Sequence, residues 1–323
     1  MKKISPLAAI FLTVFVDLVG FGIIMPLLPF YAEHFHASPE TVTLLMAIYS
    51  FMQFFSAPLW GRLSDRHGRK PVLLASLMGI ALSYLWIAFA QSLWALFAAR
   101  AFAGIMAGNI AAAQAYIADV TPPEKRAHGM GLIGAAFGLG FILGPAIGGL
   151  LGGANPAAPR FIGPGLAAAG LSFLAFIFAA AALQESLDPA QRAALRHQKR
   201  PSRLSVLAAG LSDPHLRLTV ILLFLVTFVF AGMESTFALW SERAFGWGPA
   251  QNGYVFAYTG ILAALVQGGL IRRLARILGP ALAGVAFAGL GRRGPFLAGA
   301  LVMLAALLLA LRLPGRRPES AQV

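Results

Sequence analysis

Charged residues are scarce in this 323-residue sequence, and cysteine is absent. Asp, Glu, Lys and Arg together make up 11% of the residues, whereas soluble domains contain about 25%. Because 59% of the residues are hydrophobic, we expect the outside of the protein to face lipid rather than water. This composition excludes a soluble enzyme, a secreted scaffold and a disordered protein. The absence of cysteine also excludes disulfides and thiolate metal sites.

Positive charge is in excess, but it is dispersed along the chain. The sequence has 25 Lys and Arg against 12 Asp and Glu, which gives a net charge of +13. Most of the basic residues lie in short segments between long apolar runs and form no continuous basic face. We therefore expect no nucleic-acid partner.

Ten apolar runs are candidates for membrane-spanning helices. A helix needs about 20 apolar residues to cross a hydrocarbon core about 30 Å thick. The runs lie at 6–30, 43–61, 71–91, 93–117, 128–151, 161–183, 216–240, 250–271, 277–291 and 294–313. They predict an all-α polytopic membrane protein. The ninth run reaches only about 22 Å as a helix, so it either crosses or re-enters, and the Lys and Arg around it favour crossing.

The Lys and Arg residues predict the orientation of these spans, because they concentrate in the cytoplasmic segments of membrane proteins. With the N-terminus inside, the outer segments before residue 250 contain only Arg160 and Arg243. The segments placed inside contain Lys2, Lys3, Arg62, Arg66, Arg69, Lys70, Lys125, Arg126, Arg192, Arg196, Lys199, Arg200, Arg203 and Arg217. We therefore predict a protein of the cytoplasmic (inner) membrane with a cytoplasmic N-terminus and no cleaved signal peptide.

A polar, proline-containing segment divides the chain after six spans. We predict a six-helix N-terminal bundle at 1–183, a cytoplasmic linker at 184–215 and a shortened C-terminal bundle at 216–323. This outline is typical of transporters built from two packed bundles. The alternative is an ordinary long loop between helices.

Asp17 and Arg100 place two charges inside predicted spans. A carboxylate at that depth usually lines a water-filled cavity or pairs with another group. We interpret Asp17 as a protonatable site that couples proton flow to a solute, with a structural ion pair as the alternative. Arg100 is its predicted partner, because a face of small and polar residues continues from it to Gln114 at helical spacing. The alternative for Arg100 is snorkelling toward the outer surface.

Glu234 is a second acid, in the seventh span between Phe230 and Phe237. An acid between aromatic rings suits a lipophilic cation, although an interfacial position is the alternative. Other polar and aromatic residues that we expect at the substrate site are Gln53, Gln114, Tyr254 and Tyr258. Aromatic residues on helices more often serve packing, which is the alternative for the two tyrosines.

The segment between spans two and three combines glycine, aspartate and basic residues. It reads Gly61-Arg62-Leu63-Ser64-Asp65-Arg66-His67-Gly68-Arg69-Lys70. We expect Gly61 to let the helix end pack closely and Gly68 to form a tight turn. Asp65 either caps a helix or pairs with a cation. The basic residues hold the segment at the cytoplasmic face.

The fifth span is rich in glycine and contains one proline. Its members are Gly134, Gly138, Gly140, Gly144, Pro145, Gly148 and Gly149. Glycines spaced four apart form a smooth face for close helix contact, and the proline favours a kink. The Gly138-Leu139-Gly140 fragment follows no strand and is no dinucleotide fingerprint. Since HExxH, GxSxG and P-loop spacings do not occur either, we expect no cofactor, no metal and no enzymatic activity.

Together these motifs resemble the major facilitator superfamily, and within it the twelve-span drug:proton antiporters that include the tetracycline efflux proteins. The segment 61–70 fits that family's G-x-L-x-D-R-x-G-R-K signature, Arg100 with Gly104 fits its fourth-helix motif, and 134–149 fits its fifth-helix antiporter motif. The resemblance implies that Asp17 is the family's acid in helix one. It also implies that Asp65, Arg69 and Asp119 form a contact between helices, which we call the cytoplasmic latch.

The sequence departs from that family at two places. Tetracycline exporters have an aspartate in the third helix, where this chain has Ser83. After residue 276 the sequence continues directly into a stretch that resembles the second half of helix eleven. About 80 residues of the family pattern, roughly two and a half spans, are therefore missing.

The sequence thus predicts a proton-coupled antiporter that exports small amphipathic drugs. Its partners would be the lipid bilayer, protons and a small-molecule substrate, and we expect a monomer. Asp17 and Glu234 would alternate between protonated and ionised states, each favouring one facing of the cavity. Two alternatives remain: a symporter or facilitator of the same fold for small polar solutes, and a non-transporting deletion product.

Overall fold

Helices are the only regular elements in the part of the chain that the structure describes. The computed structural model describes residues 5–156, 159–188, 190, 192 and 203–265. The helices are α1 (Pro6–Ile24), α2 (Leu28–His34), α3 (Pro39–His67), α4 (Arg69–Ala88), α5 (Leu93–Met106), α6 (Asn109–Val120), α7 (Arg126–Gly152), α8 (Ile162–Ala182), α9 (Arg203–Ser212), α10 (Pro214–Phe245) and α11 (Pro249–Leu265). Short 3-10 turns precede α2 and α7.

Seven of the described helical segments are long and apolar enough to cross a membrane. They coincide with the first seven predicted runs, and α1 with α2 and α5 with α6 each count as one segment. α11 begins at Pro249, where the eighth run was predicted. The end of that run and the runs at 277–291 and 294–313 lie outside the described residues.

Serine and glycine residues define where several spans begin and end. Ser5, Ser38 and Ser92 each accept a hydrogen bond from a backbone N–H three residues further on. A serine in this position satisfies one of the free N–H groups of a helix N-terminus. Gly68 and Gly153 follow α3 and α7 with φ of 107° and 86°, a conformation that favours glycine. The helices therefore extend beyond the apolar runs into their capping residues.

α1 lies at the centre of the six-span bundle and packs against α6, α7 and α8. Close packing depends on small residues. A Cβ added to Gly22 would lie 3.1 Å from the Cα of Gly144, and one added to Gly20 would lie 3.1 Å from the carbonyl oxygen of Ala168. α1 thereby brings its only acid, Asp17, into the interior of the bundle.

The fourth span is broken, which corrects the prediction of one continuous helical face from Arg100 to Gln114. α5 ends at Met106 and α6 begins at Asn109. Ser76 satisfies the backbone groups freed by the break, since its Oγ donates to the Met106 carbonyl and accepts from the Gly108 N–H. A broken helix is tolerated in a membrane when such side chains replace the lost backbone partners.

The segment predicted as a linker contains a helix of its own, α9, which is followed by α10. The chain separates into two compact units, residues 1–261 and 262–323. Only residues 262–265 of the second unit are described. The predicted division into an N-terminal bundle, a linker and a C-terminal bundle stays a prediction.

Candidate functional site

Asp17 lies in the interior of the bundle and is only 3% exposed. Its Oδ1 accepts a hydrogen bond of 2.8 Å from the Oγ of Ser172 on α8. Its Oδ2 accepts one from the Nδ2 of Asn109, the first residue of α6. Two neutral donors on two helices therefore hold this carboxylate, one at each oxygen.

Asp17 also lines a cavity of about 130 Å³ between the helices. The cavity is lined by Asp17, Leu18, Phe21, Tyr49, Gln53, Ile80, Tyr84, Ala103, Asn109, Ile110 and Phe137. This volume is ample for several water molecules, and the amides, phenols and carboxylate supply hydrogen-bond partners for them. The structure thus brings Gln53 and Asp17 together, two residues that the sequence predicted for one site.

Arg100 does not form the predicted ion pair with Asp17, since the ion pairs of the described residues do not include this one. Its guanidinium lies over the ring of Tyr49 instead, 4.6 Å from the ring centroid. Tyr49 and Tyr84 interact electrostatically with both charges and flank the site. Arg100 is 1% exposed, so it does not snorkel to the surface. Its Nε is buried without a hydrogen-bond partner.

Glu234 lines a different cavity, formed where α10 meets α1, α7 and α11. The lining residues are Met25, Pro26, Pro29, Met46, Phe141, Pro145, Glu234, Ala238 and Phe256. Asp17 is not among them. Phe237, next to Glu234 on α10, packs edge-on against Phe256 at 5.4 Å. The predicted association of this acid with aromatic rings is therefore present, but away from Asp17.

Three predicted substrate residues reach neither cavity. Gln114 is exposed, because the break in the fourth span changes the face on which α6 presents it. Tyr254 is 53% exposed and Tyr258 62% exposed on α11. Their predicted role at the substrate site finds no support in these positions.

The segment between α3 and α4 forms a buried cluster around Arg69. Its Nη1 donates to Asp65 at 2.7 Å and to Ser64 at 3.2 Å, and its Nε donates to Asp119 at 2.9 Å. The structure thus brings together the three residues that the family resemblance assigns to the cytoplasmic latch. Arg69 joins α3, α4 and α6 at one end of the bundle.

Glu185, which follows α8, belongs to the same cluster and was not predicted. Its carboxylate accepts hydrogen bonds from the backbone N–H groups of Arg69 at 2.8 Å and Lys70 at 3.2 Å. An acid at this position stabilises the N-terminus of α4, where free N–H groups and the helix dipole favour negative charge. The neighbouring Ser186 donates to Asp119 at 2.9 Å. The sequence signal was an acid directly after the sixth span.

The two glycines of this segment behave differently. Gly68 adopts a positive φ, and a Cβ there would collide with the carboxylate of Glu185. At Gly61 a Cβ would meet nothing within 4 Å in the described structure, so the expected close packing at this residue is wrong. Arg66 is exposed, while the Nζ of Lys70 donates to the Ala180 carbonyl at 2.7 Å.

The glycines of α7 form two contact faces. Gly140, Gly144 and Gly148 pack on α1, against Leu18, Gly22 and Ile23 respectively. Gly149 packs on α11, where a Cβ would lie 3.0 Å from the Cα of Gly253. Pro145 lies inside α7 beside both contacts. Gly134 and Gly138 have no neighbour within 4 Å among the described residues.

Comparisons with known proteins identify this arrangement. Residues 10–277 match the Major Facilitator Superfamily. The chain belongs to the Major Facilitator Superfamily. The match ends in the region where the sequence departs from the antiporter pattern. Within the described residues of this facilitator, no group of three or more His, Asp or Glu side chains is placed to hold a metal ion.

Curated relatives of this facilitator include tetracycline resistance proteins. The chain is 38% identical over 270 residues to the class C protein of Escherichia coli, covering 83% of this chain and 66% of that protein. It is 36% identical to the class E protein of Escherichia coli, covering 82% and 65%. The facilitator thus spans about two thirds of the length of the curated relatives it matches.

Solved structures show the same fold. The structure of the human organic anion transporter MFSD10 (TETRAN) is 29% identical, with a TM-score of 0.62 over 93% of this chain and 81% of that one. A bacterial homologue of the lysosomal transporter Spinster, at 17% identity, has a TM-score of 0.63 over 89% and 63%. The protein is therefore a multi-pass membrane protein with the facilitator fold and a shortened C-terminal bundle.

Three residues at these sites were not predicted from the sequence: Asn109, Ser172 and Glu185. Asn109 became visible only with the break between α5 and α6. Ser172 is an isolated hydroxyl in an apolar helix, which gives no periodic pattern. In both cases the signal is a single polar residue within a predicted span.

Proposed function

We propose that this facilitator is a proton-coupled antiporter that exports small amphipathic drugs, with its N-terminus in the cytoplasm. The observation that carries the proposal is the buried carboxylate of Asp17, which lines a polar cavity and is held by neutral donors. A carboxylate inside a membrane protein that is not neutralised by a cation is suited to exchanging a proton.

The separation of Asp17 from Arg100 gives the antiport a physical basis. Because no fixed cation neutralises the carboxylate, a proton and a cationic group on the solute can compete for it. Protonation would release the solute group, and ionisation would attract the next one. Each state would favour one facing of the bundle, since a ligand shifts a conformational equilibrium only through different affinities for the two states.

Glu234 and its apolar cavity would accommodate the other part of an amphipathic solute. Methionine, proline and phenylalanine side chains line this cavity, with the carboxylate of Glu234 as its acid. Small-molecule sites commonly combine apolar walls with a few placed polar groups. Aromatic rings beside an acid favour a lipophilic cation through both charge and cation–π contact.

The cluster around Arg69 would act as the latch at the cytoplasmic end. It ties α3, α4 and α6 to the segment after α8 through Asp65, Asp119 and Glu185. Buried ion pairs of this kind stabilise one arrangement because separating a partner leaves an uncompensated charge. We propose that opening of the cytoplasmic side requires this cluster to rearrange.

The test is Asp17→Asn in the purified protein reconstituted into liposomes. With an imposed pH gradient, we expect the unmodified protein to exchange protons for tetracycline or ethidium. Asp17→Asn should lose at least about tenfold of this gradient-driven exchange, because the amide cannot carry the proton. Glu124→Gln, which changes an exposed acid between α6 and α7, should retain it.

Two outcomes would overturn the proposal. Undiminished gradient-driven exchange by Asp17→Asn would remove Asp17 from the mechanism. Folded, unmodified protein that exchanges neither probe above empty liposomes would contradict antiport of this class of solute. The direction of the pH change on adding solute separates antiport from symport.

A further inference from the structure

The carboxylate of Asp17 has one hydrogen-bond donor at each oxygen, and both donors are buried. Ser172 is 0% exposed and Asn109 is 3% exposed. They lie on α8 and α6, so three helices meet at this carboxylate. In a water-excluded interior, such bonds influence the balance between the ionised and protonated forms more strongly than they would in water.

The amide of Asn109 has a fixed orientation. Its Oδ1 accepts a hydrogen bond of 2.9 Å from the backbone N–H of Ile110. Turning the amide over would point Oδ1 at the carboxylate of Asp17 and the NH₂ group at this N–H, which would lose both bonds. Asn109 can therefore only donate to Asp17, and a donor of this kind favours the ionised carboxylate.

The hydroxyl of Ser172 differs, because it can donate to a carboxylate or accept from a carboxylic acid by rotating its hydrogen. It can therefore stay bonded to Asp17 in either protonation state. Of the two neighbours, Asn109 discriminates between the states and Ser172 does not.

Few charged or titratable groups compete with this pair. Tyr49 on α3 and Tyr84 on α4 interact electrostatically with Asp17, and Arg100 on α5 interacts with both tyrosines. By sequence, α8 contains no ionisable residue, and Asp17 is the only one in α1. In α6 and α7 the ionisable residues are Tyr116, Asp119, Arg126 and His128, and the last two lie in the first turn of α7.

We infer that Asn109 and Ser172 are positioning residues for proton exchange at Asp17, and that Asn109 sets the pH at which this carboxylate takes up its proton. This inference deepens the proposed function, on which it rests. A displacement of α6 relative to α1 would break the Asn109 bond and promote protonation of Asp17. The break that frees Asn109 from a continuous fourth helix would thereby become part of the coupling device.

Infrared spectroscopy of the purified protein in lipid tests this without a transported solute. The carboxyl band that disappears in Asp17→Asn reports the protonated acid, and its intensity is followed against pH. In Asn109→Leu we expect the midpoint of this titration to move to higher pH by about one unit, a tenfold change, because a bond to the ionised form is lost. Ser172→Ala should move it by less than about half a unit.

Gln53→Leu is the matched control, because it removes an amide from the same cavity. The Nε2 of Gln53 donates to the Ala107 carbonyl at 3.4 Å and not to Asp17, so the midpoint should stay in place. If Asn109→Leu does not fold, Asn109→Ala removes the same donor without adding volume.

The outcomes separate this inference from the proposed function. An unmoved midpoint in the Asn109 variants, or an equal shift in Gln53→Leu, would overturn the positioning role even if exchange is intact. The pH profile of tetracycline exchange in liposomes is the second readout and should move in the same direction as the infrared midpoint. A moved midpoint with no exchange by any variant, including the unmodified protein, would overturn the proposed function and support the positioning role alone.

Discussion

Arg100 is a buried cation whose described neighbour is an aromatic ring rather than an acid. Its guanidinium carbon lies 4.6 Å from the centroid of the Tyr49 ring. A cation over an aromatic face contributes about 2 kcal/mol when both are desolvated. The ring is the only part of Tyr49 that this contact requires, so the hydroxyl should be dispensable.

We therefore predict that Tyr49→Leu lowers the free energy of unfolding by about 2 kcal/mol, whereas Tyr49→Phe changes it by less than about 1 kcal/mol. Chemical unfolding of the purified protein in detergent, with the Arg100→Met and double variants completing a cycle, measures the coupling. A coupling energy near zero would show that the ring does not stabilise the guanidinium.

At the residue scale, the sequence predicted which charges lie in the membrane but not which partners they take. Asp17 was recognised because a carboxylate in an apolar run is costly and therefore conspicuous. Its partners Asn109 and Ser172 are neutral, single and far apart in the sequence, so no spacing connects them. Arg100 was expected beside Asp17 because opposite charges in adjacent spans suggest a pair, but an aromatic ring competes for the same guanidinium.

The packing of α1 on α7 depends on two glycines that face each other. A Cβ added to Gly144 would lie 2.6 Å from the Cα of Gly22, a backbone atom that cannot move aside alone. The same addition at Gly134 of α7 meets nothing within 4 Å in the described structure. One helix therefore offers a crowded glycine and an open one of the same type.

We predict that Gly144→Ala destabilises the protein by about 1 to 3 kcal/mol through overpacking. Gly134→Ala should be neutral or stabilising by up to about 1 kcal/mol, because alanine favours the helix. Thermal unfolding of both variants in one detergent compares them directly. Equal destabilisation by the two substitutions would show that general helix effects, not the contact with Gly22, account for the loss.

At the element scale, apolar length and capping chemistry predicted the spans well, whereas the break in the fourth span was not visible. The existence of the first seven spans follows from their hydrophobicity, which any residue order would reveal. The break depends on Ser76, a residue of another helix that satisfies the freed backbone groups of Met106 and Gly108. Such a tertiary compensation leaves no local signal in the sequence of the broken helix.

The arrangement of the whole molecule relative to the membrane follows from the alternation of its connections. Gln91 lies between α4 and α5, and Glu124 lies between α6 and α7. The span formed by α5 and α6 separates them, and both residues are exposed. The distribution of Lys and Arg predicts that Glu124 faces the cytoplasm and Gln91 faces outward.

Because the chain has no cysteine, a single substitution creates a unique labelling site. We predict that Gln91→Cys in intact cells reacts with a membrane-impermeant maleimide, whereas Glu124→Cys reacts only after the membrane is permeabilised. The reason is positional, since one membrane-spanning segment separates two otherwise similar exposed thiols. The reverse pattern would place the N-terminus outside and move the Arg69 cluster to the outer face, so it could not act as a cytoplasmic latch. Labelling of both thiols in intact cells would contradict a single crossing between them.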